Sequence, residues 1–136
     1  MKVVNKYEKI AENWYSSTVS IQGTVPDLNQ VKYVTYFLHE SFPNRKIVST
    51  NPINNFAKKL QGWGEFLLSA EATMKNMQVL YALIWLDLGF AHTLREKNEY
   101  DGTFSETKRD TSHLLARKDP SRKEPERASD RNFGAP

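Results

Sequence analysis

The chain predicts an all-β sandwich, and three observations carry that expectation. From Trp14 to Gln22, aromatic and β-branched residues alternate with small polar ones. From Val31 to Leu38 the run is aromatic and β-branched on both faces. From Leu80 to Leu88 the apolar residues Leu80, Ala82, Ile84, Leu86 and Leu88 hold every second position, and turn-forming residues separate these runs. A period of two is the strand signature, because successive side chains point to opposite faces. Several short strands punctuated by turns favour a sandwich.

Taken in order, residues 2–10 must supply an N-terminal strand. The second strand, residues 14–22, sets Tyr15, Ser17, Val19 and Ile21 against Ser16, Thr18 and Ser20, and Gly23 to Asp27 is turn chemistry. The third, residues 31–38, is apolar on both faces and so belongs in the middle of its sheet. Phe42-Pro43-Asn44 breaks it and opens an exposed loop, and Asn51-Pro52 marks a further turn. A short strand is expected over residues 53–59, around Phe56, before the tight Gly62-Trp63-Gly64 corner. Two more strands, residues 66–74 and 79–88, flank a turn at Lys75-Asn76-Met77-Gln78. Leu67, Leu68, Ala70, Glu71, Ala72, Met74 and Lys75 are also good helix formers, so a helical hairpin would satisfy local propensity there. The alternation from Leu80 to Leu88 favours strands.

Composition bounds the rest. The 136 residues suffice for one domain with one core. After His92 the character changes: residues 93–136 hold 10 Lys/Arg and 9 Asp/Glu, with Leu94, Tyr100, Phe104, Leu114, Leu115 and Phe133 scattered without a period. Such a segment offers little apolar surface to offset its ordering entropy. The expectation is therefore a folded unit over residues 5–92 and a charged, disordered tail over 93–136, with a short helix near 111–118.

The net charge of +3 is mild, so no direct nucleic-acid contact is expected. Without cysteine, disulfides and thiolate chemistry are excluded. The longest apolar stretch, Val79 to Ala91, contains Asp87 and falls short of the ~20 residues of a helical membrane span. No signal peptide is visible, which points to the cytoplasm, or the nucleus in a eukaryote.

Two segments stand out: Leu38-His39-Glu40-Ser41-Phe42-Pro43-Asn44 and Gly62-Trp63-Gly64-Glu65-Phe66. In this order and at this separation they resemble the paired signature of the YEATS family, and the short chain is more similar to its prokaryotic branch. The stretch between them departs from the family, with Asn51-Pro52-Ile53-Asn54-Asn55-Phe56 where a Pro-Pro-aromatic run is usual. The resemblance implies an immunoglobulin-like β-sandwich that reads acylated lysine, acetyl or crotonyl, on a protein or peptide partner, without cofactor or catalysis.

By the same resemblance Phe42 and Trp63 are the plates that hold the flat acyl amide, and Phe66 lines the pocket wall. Ser41 accepts the amide N–H, His39 braces Ser41, and the Trp63 backbone N–H donates to the acyl carbonyl. Gly62 and Gly64 let the backbone approach, since neither carries a β-carbon. Such a pocket needs both apolar plates and polar partners, because an unpaired buried amide is costly.

Other chemistries fit less well. His39, Glu40 and Ser41 are hydrolase residue types, but strand neighbours face opposite ways, and no Gly-x-Ser-x-Gly elbow is present. His39, His92 and His113 show no metal-ligand spacing, and phosphate-binding glycine loops are absent. Glu40 and Glu65 are expected as a solvated rim that attracts a basic peptide. No strand is evident after Leu88, which leaves an open sheet edge able to accept a partner strand. The rival reading is a structural or protein-interaction sandwich whose pocket is filled by its own side chains, with Trp63 as a core plug.

Overall fold

The computed structural model describes residues 1–109. Its strands are β1 (Lys2–Ala11), β2 (Trp14–Gln22), β3 (Val31–Phe37), β4 (Lys46–Ser49), β5 (Lys58–Gly62), β6 (Leu67–Met74) and β7 (Val79–Trp85). They form two antiparallel sheets, β1-β2-β5 and β4-β3-β6-β7. Two short helices, α1 (Val25–Asn29) and α2 (Leu94–Glu99), complete the set.

Each element follows from local chemistry. The β1–β2 hairpin turns through Asn13 at φ 56°, a left-handed conformation that asparagine tolerates. At α1, the Thr24 hydroxyl accepts from the Asp27 N–H at 3.2 Å and Pro26 sits in the first turn, so the expected turn tightens into a helix. β3 lies between β4 and β6, as its two apolar faces require. The helical alternative for residues 67–74 loses to tertiary pairing: Leu68 meets Ile84 and Ala70 meets Ala82 across β6 and β7. Facing side chains such as Val19 and Ile21 from one sheet and Val34, Tyr36 and Leu68 from the other fill the interior.

Phe56 departs from expectation. No strand surrounds it; a 3-10 turn (Pro52–Asn54) leads into Asn55 and Phe56, both at φ 59°. A left-handed phenylalanine is costly by roughly 1–2 kcal/mol. Burial of its ring contributes about 1.5–3 kcal/mol in return, and its carbonyl accepts from the Tyr36 hydroxyl at 2.8 Å in the core. Phe56 is a plug between the sheets, and β5 starts only at Lys58. β4 was expected to be loop and instead pairs with β3.

The larger correction concerns the expected tail. Residues 93–109 continue the domain beyond His92. Ala91–Thr93 form a 3-10 turn, α2 follows, and Tyr100 is only 3% exposed. Residues 100–105 then run between β1 and β7. The Val3 N–H donates to the Gly102 carbonyl at 2.8 Å, the Gly102 N–H to Leu83 at 2.9 Å, and Tyr81 and Ser105 exchange two bonds at 2.8 and 2.9 Å. Bridges Lys2–Thr103, Ile84–Asp101 and Tyr81–Ser105 record the same pairing. Low apolar content did not prevent order here, because the segment is held chiefly through its backbone. The expected helix near 111–118 and the rest of the expected tail lie outside the described residues.

Candidate functional site

The first loop leaves β3 at Leu38, whose N–H bonds to the Arg45 carbonyl at 2.7 Å and closes residues 39–44 into a hairpin end. Within it the Phe42 N–H donates to the His39 carbonyl at 3.0 Å, a tight turn. β3 ends at Phe37, so His39, Glu40 and Ser41 belong to the turn and not to the strand, and His39 and Ser41 meet there. The Ser41 backbone N–H donates to His39 Nδ1 at 3.1 Å, and Ser41 Oγ stands 2.8 Å from the same nitrogen.

The consequence is chemical. A nitrogen that receives a backbone N–H presents its lone pair, so neutral His39 carries its proton on Nε2. The Ser41 hydroxyl must then donate to Nδ1, which leaves the lone pairs of Oγ to accept from elsewhere. Ser41 is exposed, so that acceptor faces solvent.

Behind the pair lies an aromatic cluster. The rings of Phe42 and Phe66 are 5.3 Å apart and tilted by 56°, and His39 meets Phe66 edge-on at 6.2 Å. Phe42 is only 7% exposed and belongs to the core cluster, as does Phe66. Trp63 is half-buried and packs against that core. Gly62 ends β5 in register with Tyr15, and Gly64 is buried. Neither glycine has a left-handed φ, unlike Gly89 and Gly102, so what they supply is the missing side chain.

The two motifs do come together. Phe42 from one, and Gly62, Gly64 and Phe66 from the other, line a single cavity with Tyr15 and Leu60. Its volume is about 10 Å³, room for no more than one water.

Glu65 overturns the expected acidic rim. Glu40 is exposed, but Glu65 is only 3% exposed. Its carboxylate accepts from Trp85 Nε1 at 2.9 Å, from the backbone N–H of Leu88 at 2.7 Å and of Phe90 at 3.0 Å, and from the Thr93 hydroxyl. Lys97 Nζ lies 3.2 Å away and also pairs with Asp87 at 2.7 Å. Burial pulls the Lys97 ammonium down, but its hydrogen bonds and charge attraction to Asp87 and Glu65 outweigh burial and hold it above its ordinary range. A buried charge needs this many partners. Glu65 therefore fixes the second loop from beneath. The signal was hidden because two of its partners, Thr93 and Lys97, fall in the segment that composition marks as tail.

Among the described residues, no three His, Asp or Glu cluster to hold a metal, and no helix is long and apolar enough to cross a membrane.

The described residues thus form a small antiparallel sandwich with two loops brought together at one end. Residues 15–86 match the prokaryotic YEATS domain, more than half of the chain, and the protein belongs to that family. Solved structures that resemble it include the Yaf9 YEATS domain recognizing a modified histone peptide, 23% identical, covering 62% of this chain and 68% of that one at a TM-score of 0.49. A comparison with curated proteins gives no match.

Proposed function

We propose that this protein is a non-enzymatic reader that binds an acylated lysine of a partner protein or peptide at Ser41, without cofactor. One observation carries the reading: His39 Nδ1, which accepts the Ser41 backbone N–H, stands 2.8 Å from Ser41 Oγ, so it accepts a hydrogen bond from the hydroxyl and leaves the Oγ lone pairs free to accept from a ligand. A neutral amide N–H is the complementary donor for that oxygen, and Glu65 is turned inward, away from the ligand. Nδ1 is already shared with the Ser41 backbone N–H. Its lone pair is thus committed to holding the hydroxyl rather than to removing its proton for attack, which supports binding over catalysis.

The acyl group does not enter between Phe42 and Phe66, where the space is about 10 Å³. It lies on the solvent side of Phe42, against Trp63, with the Trp63 backbone N–H donating to its carbonyl. Each aromatic contact adds about 0.5–1.5 kcal/mol beyond burial. The burial of Phe42 favours one rival, an interaction sandwich that has filled its pocket with its own side chains.

Calorimetric titration separates the two. Acetyl- and crotonyl-lysine peptides should bind the protein at least about tenfold more tightly than the unmodified peptide, and Trp63→Ala should lose most of that preference. No preference in the folded wild-type protein would remove the reader and leave the interaction sandwich.

A further inference from the structure

The side of the sandwich away from β1 and β7 carries a groove that shares Phe42 with the proposed reader site but includes neither Ser41, His39 nor Trp63. It lies between β4 and β5, the strands that end the two sheets. Its floor is apolar, made by Leu38, Phe42, Ile47 and Leu60, and its volume is about 300 Å³. Lys59, Leu60 and Gln61 of β5 form one wall, whereas β4 contributes only Ile47. β5 pairs with β2 on one flank and with no described strand on the other, so a row of its backbone groups is left at the groove.

Charge tells what would fill it. Residues 41–64, which build both strands and their connections, include Arg45, Lys46, Lys58 and Lys59 and no aspartate or glutamate. None of the four makes an ion pair among the described residues. An unpaired strand edge, an apolar floor, Lys59 in the wall and three more cations next to lining residues in the sequence together fit an extended chain that brings main-chain hydrogen bonds, alternate apolar side chains and carboxylates. A nucleic-acid backbone would need neither the edge nor the aliphatic floor.

We infer that an acidic, extended segment of a partner protein docks in this groove as an added strand along β5. The inference stands apart from acyl-lysine recognition and concerns unmodified chain.

The test uses the full protein and a fluorescent peptide of alternating glutamate and valine, followed by anisotropy. The peptide should bind, Lys59→Glu should weaken it about tenfold, and Lys75→Glu, an equal charge change on the β6–β7 turn, should leave it unchanged. Methylating alternate backbone nitrogens of the peptide keeps its charge and should weaken it as much, because strand addition requires those N–H groups. Ser41→Ala should leave this binding intact, so the groove and the reader fail separately. Equal losses from Lys59→Glu and Lys75→Glu, undiminished binding of the methylated peptide, or tighter binding of a single-stranded oligonucleotide that displaces the peptide would each overturn the inference. Unchanged melting temperatures certify that the variants are folded.

Discussion

The two long sides of the sandwich are finished in opposite ways. On one, residues 100–105 lace β1 to β7 through backbone hydrogen bonds at 2.8 to 3.2 Å. On the other, β4 and β5 end their sheets without a described neighbour, and the space beside them is a groove. The closed side uses few apolar residues and much backbone pairing; the open side keeps its pairing capacity beside Lys59, in a stretch, residues 41–64, with no aspartate or glutamate. Edge strands invite association, and charge on them is a common means of selecting against the wrong partner. The difference locates where the molecule is sealed and where it can be approached.

The strongest way to break the closed side is at its anchor. Glu65→Ala removes the acceptor for Trp85, Leu88, Phe90 and Thr93 and takes from the Lys97 ammonium one of its two carboxylates. The loss should be about 3–5 kcal/mol, read by chemical denaturation. Gly102→Ala comes next. Gly102 sits at φ +87°, and an added Cβ would stand 2.2 Å from the Val3 carbonyl oxygen, a backbone atom that cannot simply swing aside. Strain of about 1–2 kcal/mol and the loosened β1 pairing should cost roughly 2–3 kcal/mol in all.

Alkaline titration tests the interior without mutation. Burial pushes the Tyr36 phenol well above its ordinary 10.0, and Lys97 is also held above its ordinary 10.5. In the unfolded chain both groups release their protons first. Above pH 10 the unfolded state therefore binds fewer protons than the folded one, and stability must fall as pH rises. A melting temperature that holds flat or climbs between pH 10 and 11 would contradict the burial of that hydroxyl. The smallest effect belongs to the open side: Lys59→Glu, exposed and unpaired, should change stability by less than about 0.5 kcal/mol.

Much of this was legible in the sequence, for identifiable reasons. β2, β3, β6 and β7 announce themselves because each alternates or is apolar on both faces, and β1 was required by elimination. The site motifs were legible as a pair, and the structure brings Phe42, Gly62, Gly64 and Phe66 to one cavity and His39 to Ser41. β4 was not legible, since Lys46 to Ser49 is short, charged and stabilised only by pairing with β3. Phe56 was misread because an aromatic between turn residues and a strand looks like strand, while its carbonyl is held by the hydroxyl of Tyr36, 20 residues away, and its backbone is left-handed. Residues 93–109 were misread because composition counts side chains and their order rests on backbone. Glu65 followed from the same error, its partners Thr93 and Lys97 having been assigned to the tail.

The reader hypothesis turns on the Ser41 hydroxyl accepting a hydrogen bond from an amide. A double-mutant cycle addresses it directly: wild type and Ser41→Ala, each titrated with an acetyl-lysine peptide and with the ester analogue that replaces the amide N–H by oxygen. Wild type should prefer the amide by about 1–3 kcal/mol, and Ser41→Ala should bind both alike. The same preference in both proteins would contradict the account.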